Sequence, residues 1–223
     1  MNFFVTKIVE DSDVTYNLTV AGYVALAAVM LVVFAAGCIF RDKNKKMDAK
    51  QIAFCAMAMA LAVVTSMFKI IDMPMGGSVT LFSMLFIVLT GYWFGVRTGI
   101  TTAVAYGILQ LLINPYIISI WQMLMDYIFA FGALGLAGLF SNKKKGLIKG
   151  YIAGILGRYF FSFLSGWIFF AVYTPDFFNS AILYSLAYNG AYIGLEAAIT
   201  LIVLALPPVN EAMQAVKKLV CEA

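Results

Sequence analysis

Residues 181–206 read AILYSLAYNGAYIGLEAAITLIVLAL, an apolar run in which Glu196 is the one charged residue. About 20 such residues in a helix span the hydrocarbon core of a membrane. Over the whole chain, 63% of the residues are hydrophobic and 12% are charged, whereas a soluble globular domain has roughly 45–50% apolar residues. The sequence therefore predicts an integral membrane protein.

Other apolar runs of similar length precede this one, which makes about seven predicted spans. Their predicted bounds are Ala21–Phe40, Ala53–Phe68, Val79–Val96, Gly99–Ile118, Leu124–Phe140 and Gly150–Tyr173. We read the first run as a true helix, because its apolar stretch is longer than that of a signal peptide and the segment before it is acidic. The predicted fold class is all-α, a polytopic membrane helix bundle.

The polar breaks between these runs alternate in charge. Lys and Arg cluster in residues 41–50, at Arg97, and in residues 143–149 and 217–218, whereas the N-terminus and the other breaks are acidic or neutral. Since positive loops stay in the cytoplasm, we expect the N-terminus outside the cell and the C-terminus in the cytoplasm. The net charge of +4 then reports topology, and we expect no nucleic-acid partner.

The residue types exclude several kinds of chemistry. The chain has no histidine, which excludes Ser-His relays and His-ligated zinc sites. Its three cysteines are isolated, and no P-loop motif for binding ATP occurs. We therefore expect no metal, no cofactor and no catalytic residues, and any ATP-driven work would come from partner subunits.

Polar residues at membrane depth are costly and usually mark a functional site. Under the predicted topology, Asp126 and Asn189 lie in the outer third of their spans. Many aromatic residues are predicted at a similar depth, including Trp167, Phe170 and Tyr184. A carboxylate, an amide and several ring faces suit a small, flat cation. An interfacial belt is the alternative role for each ring, whereas for Asp126 we favour ligand or ion binding.

Two further charged residues fall at similar predicted depths in the sixth and seventh spans. Arg158 and Glu196 lie about 15 Å from the cytoplasmic side, at 1.5 Å per helical residue. Opposite charges at matched depth on neighbouring helices favour a buried structural ion pair over a proton relay.

The second span carries overlapping AxxxA pairs, Ala56 with Ala60 and Ala58 with Ala62. Small residues at this spacing leave a smooth face on which another helix can approach closely. From the residues alone, packing within the bundle and docking of another subunit are equally compatible with the pattern.

The break between the second and third spans reads MPMGGSVTLFSM, residues 73–84. Pro74 ends a helix, Gly76 and Gly77 permit unusual turns, and the hydroxyls of Ser78 and Thr80 can cap the next helix. We predict an outer loop folded over the aromatic pocket, with Gly77 at its wall. A plain external turn is the alternative.

Four segments in this order resemble the signature segments of one transporter family. They are Met73–Thr80, Leu124–Phe131, Arg158–Tyr159 and Tyr184–Asn189. Together they are similar to the thiamine-specific S component (ThiT type) of energy-coupling factor (ECF) transporters, and the resemblance covers roughly residues 50–206.

The resemblance implies a six-helix subunit that captures thiamine outside the cell and delivers it by toppling within a complex. The implied partners are a transmembrane coupling subunit and two cytoplasmic ATPases. The core would be residues 50–223, and residues 1–49 would add an extra N-terminal transmembrane helix and a basic loop. The family meets its coupling subunit through an AxxxA face, which favours docking at Ala56 and Ala60.

The resemblance also implies a set of ligand contacts. It places them at Asp126, Tyr127, Phe170, Tyr184 and Asn189. To these we add Gly77 from the predicted loop and Trp167 from the aromatic residues. We also add Ser162, which stands where the family usually has a histidine. Because a serine hydroxyl is short and uncharged, the expected ligand is thiamine or a close analogue, such as a pyrimidine or thiazole precursor.

Two other functions remain open at this point. The chain could transport the same ligand alone, coupled to a cation, with Asp126, Arg158 and Glu196 as the coupling path. An intramembrane enzyme is disfavoured, because no nucleophile and base pair or metal set can be assembled without histidine.

Overall fold

The computed structural model describes residues 5–10, 13–22, 24 and 48–222. Its strands form two hairpins, β1 (Val5–Glu10) with β2 (Asp13–Leu18) and β3 (Lys69–Asp72) with β4 (Ser78–Thr80). Its helices are α1 (Ala49–Met67), α2 (Ser83–Phe94), α3 (Val96–Ile113), α4 (Ile120–Phe140), α5 (Gly146–Phe169), α6 (Ala181–Ala205) and α7 (Pro207–Glu222).

Within the described residues, five helices are long and apolar enough to cross a membrane, namely α1, α3, α4, α5 and α6. This confirms the predicted helical membrane bundle. The sixth core helix, α2, has 12 residues and is shorter than its predicted span. It begins after Phe82, which has a left-handed backbone (φ 62°), and it ends at Gly95 (φ 88°).

Helix α2 lies at the centre of the bundle. Nine of its 12 residues are buried, and apolar residues surround most of its circumference, as expected for a helix enclosed by others. Its neighbours are α1, α3, α4 and α5. The large side chains Met84, Ile87 and Val88 form part of the core that these helices share.

Glycines allow α2, α3 and α4 to cross at close range. A Cβ on Gly99 of α3 would lie 2.5 Å from Gly91 Cα of α2, and a Cβ on Gly135 of α4 would lie 2.3 Å from Ile100 N of α3. Side chains at these positions would push the helices apart, because the space is already filled by backbone.

Helix α4 is irregular along its length. It contains a π-helical turn at Leu124–Phe129 and a 3-10 stretch at Ala133–Phe140, where the sequence predicted one plain span from residue 124. A π-helical turn adds a residue to one turn of a helix and is frequent at functional sites. This turn contains Asp126 and Tyr127.

The two ends of the chain carry elements that the sequence analysis did not assign. The predicted span Ala21–Phe40 lies outside the described residues apart from residues 21, 22 and 24, which are helical. Before it, β1 and β2 form an antiparallel hairpin in which Val5 is opposite Leu18. At the other end, α7 is amphipathic and packs against α1, α2 and α6, with Val209 and Met213 against the core.

Candidate ligand-binding site

A cavity of about 410 Å³ lies between α3, α4, α5, α6 and the β3–β4 hairpin. This volume is in the range of about 300–1,000 Å³ that small-molecule sites occupy. Seven of the eight residues predicted as ligand contacts line it: Gly77, Asp126, Tyr127, Ser162, Phe170, Tyr184 and Asn189. The structure thus brings together residues from four segments of the chain, and their contact with a ligand stays a prediction.

Asp126 is held by two neighbours through one of its oxygens. Its Oδ2 accepts a hydrogen bond of 2.7 Å from Gln122 Nε2 and one of 2.8 Å from Ser165 Oγ. In the part of the chain that the structure describes, Oδ1 has no protein donor. The carboxylate is therefore oriented by the protein and keeps an oxygen for a ligand.

Tyr127 follows Asp126 in the π-helical turn and ties α4 to the segment before it. Its hydroxyl donates to Asn114 O at 3.0 Å and accepts from Tyr116 N at 2.9 Å. The backbone at Tyr127 lies so close to α3 that a Cβ on Gly107 would be 1.8 Å from Tyr127 O. Close helix packing and the two hydroxyl contacts thus set the position of this turn.

Helix α5 and the residue that follows it line the cavity with a stripe of residues four apart, Ser162, Gly166 and Phe170. The Phe170 ring stacks on Tyr116, with centroids 5.7 Å apart. Burial raises the pKa of the Tyr116 phenol above its usual value. Trp167 does not line the cavity and stacks instead on Phe163 at 6.2 Å, because one residue after Gly166 the helix has turned about 100° away from the stripe.

Helix α6 contributes an amide and a ladder of tyrosines. Asn189 Nδ2 donates to Ser185 O at 3.0 Å, and its Oδ1 accepts from the Tyr192 hydroxyl at 3.0 Å. The rings of Tyr184, Tyr188 and Tyr192 follow one another at 5.8 Å between centroids. The amide is therefore fixed against a continuous aromatic wall.

The segment between β3 and β4 lies against this wall. Gly76 has a φ of 92°, a left-handed conformation that favours glycine. A Cβ on Gly77 would lie 3.0 Å from both the Tyr188 hydroxyl and the Tyr192 ring, and the Tyr188 hydroxyl donates to Pro74 O. The predicted outer loop is thus a hairpin that forms one wall of the cavity.

A family model described as "Thiamine transporter protein (Thia_YuaJ)" matches residues 52–216. The chain belongs to this thiamine transporter family. It is 35% identical over 165 residues to the thiamine transporter ThiT of Bacillus subtilis (strain 168), a match that covers 68% of this chain and 84% of the relative. The predicted family is therefore confirmed.

A solved structure of ThiT from Listeria monocytogenes has the same fold. The two chains align with a TM-score of 0.58 and 24% identity, over 71% of this chain and 94% of the other. The solved ThiT structure therefore shares the helical fold of this chain.

In this thiamine transporter, the Glu196 carboxylate makes contacts that the sequence analysis did not predict. Its side chain is buried, and its carboxylate faces the N-terminus of α2. Oε2 accepts from Thr80 N and Thr80 Oγ1 at 3.2 and 2.6 Å, and Oε1 accepts from Ser83 Oγ and Met84 N at 3.2 Å each. Glu196 therefore caps α2 from another helix, where free N–H groups favour a negative charge.

The predicted ion pair between Arg158 and Glu196 does not form. Among the described residues, an ion pair joins only Lys69 and Asp72 in β3. The Arg158 guanidinium lies 4.3 Å from the centroid of the Phe131 ring, and Arg158 lines the ligand cavity. Depth along a helix predicts height in the membrane but not rotation, so the two side chains point to different neighbours.

Two residues that orient Asp126 were absent from the predicted site. Gln122 precedes Asp126 by four residues, a helical spacing at which side chains meet, so the sequence held a signal for this pair. Ser165 is 39 residues away on α5, and no sequence spacing indicated its contact.

The overlapping AxxxA pairs of α1 face opposite directions. Ala58 and Ala62 are 3% and 0% exposed and pack inside the bundle, whereas Ala56 and Ala60 are exposed. One pair therefore serves packing within the chain, and the other leaves a smooth face on the outside of the bundle.

Proposed function

We propose that this chain binds thiamine, or a close analogue, in the cavity beside Asp126. Thiamine joins a permanently positive thiazolium ring to an aminopyrimidine. The observation that carries the proposal is the Asp126 carboxylate in a cavity lined by aromatic rings. Its Oδ2 accepts two hydrogen bonds, and its Oδ1 has no donor among the described residues. Charge pairing and stacking on ring faces both favour a flat cation in such a site.

We further propose that the chain is the S component of an ECF-type importer, without catalysis of its own. The family membership supports this role, and the absent P-loop places ATP hydrolysis on partners. The partners would be a transmembrane coupling subunit and two cytoplasmic ATPases. The exposed pair Ala56 and Ala60 would meet the coupling subunit, because small residues allow close helix contact within a membrane.

The proposed topology places the N-terminus outside and the C-terminus in the cytoplasm, in the cell membrane. Lys50, residues 143–149 and residues 217–218 lie at the end of the bundle opposite the ligand cavity. The positive-inside rule places that basic end in the cytoplasm, so the cavity would open outward. In this proposal residues 50–223 form the substrate-binding domain, and residues 1–49 are an addition to it.

A binding titration of the purified protein tests the ligand. Intrinsic Trp fluorescence would be followed with thiamine, its phosphates, its pyrimidine and thiazole halves, and riboflavin as an unrelated vitamin. Selective quenching by thiamine is expected. Preference for the pyrimidine or thiazole half would mean that the ligand is an analogue, as the serine at position 162 allows. No response to any of these compounds would contradict the proposal.

Transport assays separate the importer from a stand-alone transporter. Uptake that requires the coupling subunit, the ATPases and ATP is expected. Uptake by the chain alone in ATP-free vesicles, driven by an ion gradient, would favour the other function. The hydrogen bonds of Glu196 to the start of α2 speak against a coupling path through it.

A further inference from the structure

A second cavity, which we name the basic cavity, lies at the end of the bundle opposite the ligand site. It has a volume of about 980 Å³ and lies between the start of α1, the end of α2, the start of α5 and α7. It shares no lining residue with the ligand cavity. The proposed function assigns no role to it.

Six lysines line the basic cavity: Lys50, Lys143, Lys144, Lys145, Lys217 and Lys218. Among the described residues, Asp48 is the one carboxylate in the lining, and it already accepts a hydrogen bond of 2.9 Å from Gln51 N at the start of α1. Positive charges gathered in one concave site create a strong local potential. An anion bound there would relieve their mutual repulsion.

Two of these lysines are already engaged with the protein. Lys50 Nζ donates to Leu219 O at 2.9 Å, and Lys217 Nζ donates to Ser141 O and lies 4.1 Å from the centroid of the Tyr92 ring. They hold α7 in place over the cavity. The other four lysines carry charge that no ion pair offsets in the described part of the chain.

The N-terminus of α5 adds to the positive potential. The helix begins after Lys145, which has a left-handed backbone (φ 54°) and makes no side-chain capping hydrogen bond. The first N–H groups of a helix are favourable partners for a phosphate group. Lys143, Lys144 and Lys145 directly precede them, so the helix end and the lysines favour the same kind of ligand.

Part of the remaining wall of the basic cavity is apolar and aromatic, with Trp93, Phe94, Leu147 and Val220 among its residues, and the rest includes uncharged polar side chains such as Asn210 and Gln214. The Trp93 indole N–H is buried and has no acceptor in the described part of the chain. Aromatic residues at the end of a membrane bundle lie at the depth of lipid headgroups. A free anion would leave this wall unused, whereas a lipid could cover it.

We propose that the basic cavity binds the phosphate headgroup of an anionic membrane phospholipid. In the proposed topology this end faces the cytoplasmic leaflet, which carries anionic lipids, and basic pockets between helices on that side suit their headgroups. The lysines and the start of α5 bind the phosphate, and the aromatic wall covers the glycerol and the upper acyl chains. The bound lipid would brace α7 against the bundle.

Native mass spectrometry of the purified full-length protein tests this proposal. Phosphatidylglycerol and phosphatidylcholine with identical acyl chains would be titrated in parallel, with inorganic phosphate as the soluble competitor. We expect tight binding of phosphatidylglycerol alone. We also expect Lys144→Gln to weaken it roughly fivefold, and Lys143→Gln with Lys144→Gln roughly 25-fold, at the usual effect of one lysine near anionic lipid.

Lys149→Gln is the matched control, because Lys149 is exposed at the same end but does not line the basic cavity. It should change lipid affinity less than twofold, and thiamine binding should be unchanged in every variant. Equal binding of both lipids, or an equal loss in Lys149→Gln and Lys144→Gln, would overturn the proposal. Displacement of the lipid by millimolar inorganic phosphate would overturn it in favour of a soluble anion.

Discussion

The Ser165 hydroxyl of α5 donates a hydrogen bond of 2.8 Å to Oδ2 of Asp126 in α4. This contact joins two neighbouring helices beside the ligand cavity. Together with Gln122 it engages Oδ2 and leaves Oδ1 without a protein donor among the described residues. The orientation of the charge that we expect to bind thiamine therefore depends on packing between α4 and α5.

Asp126→Asn should weaken thiamine binding by about 2–4 kcal/mol, because removal of one member of a buried charge pair leaves the other unpaired. The amide keeps the shape of the side chain, so the fold should be unaffected. Fluorescence titration measures the loss. Asp176→Asn, at an exposed position outside the cavity, is the control, and equal affinities for the two variants would exclude the proposed role of Asp126.

Ser165→Ala should lower thiamine affinity by a smaller amount. It removes one donor from Asp126 Oδ2 and leaves the bond from Gln122, so we expect a loss of about 1–2 kcal/mol. Isothermal titration calorimetry gives the affinity. Thr101→Ala is the control, since that hydroxyl bonds Arg97 O on the exposed side of α3; if both variants bind as the wild type does, Ser165 does not position Asp126.

Gly77→Val should speed thiamine release. The backbone of Gly77 is extended (φ −73°, ψ 143°) and accepts valine without strain, but the new side chain would press on Tyr188 and Tyr192. Overpacking of this kind costs about 1–3 kcal/mol, and we expect it to open the hairpin. Stopped-flow fluorescence measures the dissociation rate.

Gly194→Val provides the comparison for the hairpin, because a Cβ on Gly194 would have no neighbour within 4 Å among the described residues, apart from the adjoining backbone of its own helix. It should leave release unchanged. An identical release rate in Gly77→Val would mean that the hairpin is a plain external turn with no influence on the ligand.

Glu196→Gln should destabilise the fold by about 2–3 kcal/mol. The hydroxyls of Thr80 and Ser83 can rotate to accept from the new amide, but the N–H groups of Thr80 and Met84 cannot. One of these N–H groups would lose its acceptor at the start of α2. Thermal unfolding in detergent measures the effect, and Glu211→Gln, on an exposed position of α7, should unfold like the wild type. Matching unfolding of both variants would show that the cap contributes little.

Ala60→Trp should abolish uptake by the assembled importer and leave thiamine binding intact. A large ring on the exposed face of α1 would prevent close approach of the coupling subunit. Leu156→Trp, on an exposed position of α5, controls for a bulky ring facing lipid. Normal assembly and uptake in Ala60→Trp would assign Ala56 and Ala60 to contact with lipid.

Much of the candidate site could be predicted because membrane depth makes polar residues conspicuous. Asp126 and Asn189 stand out in apolar runs, and both line the cavity. Trp167 met the same criterion of an aromatic residue at the right height, yet it points away. Height follows from counting residues along a span, whereas direction depends on the rotation of the helix, which the neighbouring helices set.

The sequence by itself determined that the protein lies in a membrane, roughly where its core helices run along the chain, and which family it belongs to. The length of apolar runs and the order of motifs are local properties of the chain. Only the tertiary structure decided that Glu196 caps α2, that Arg158 lies over Phe131 and that Ser165 orients Asp126. These contacts join residues on different helices. Each buried polar group takes the partner that packing brings within hydrogen-bond distance, and spacing along the chain does not encode that choice.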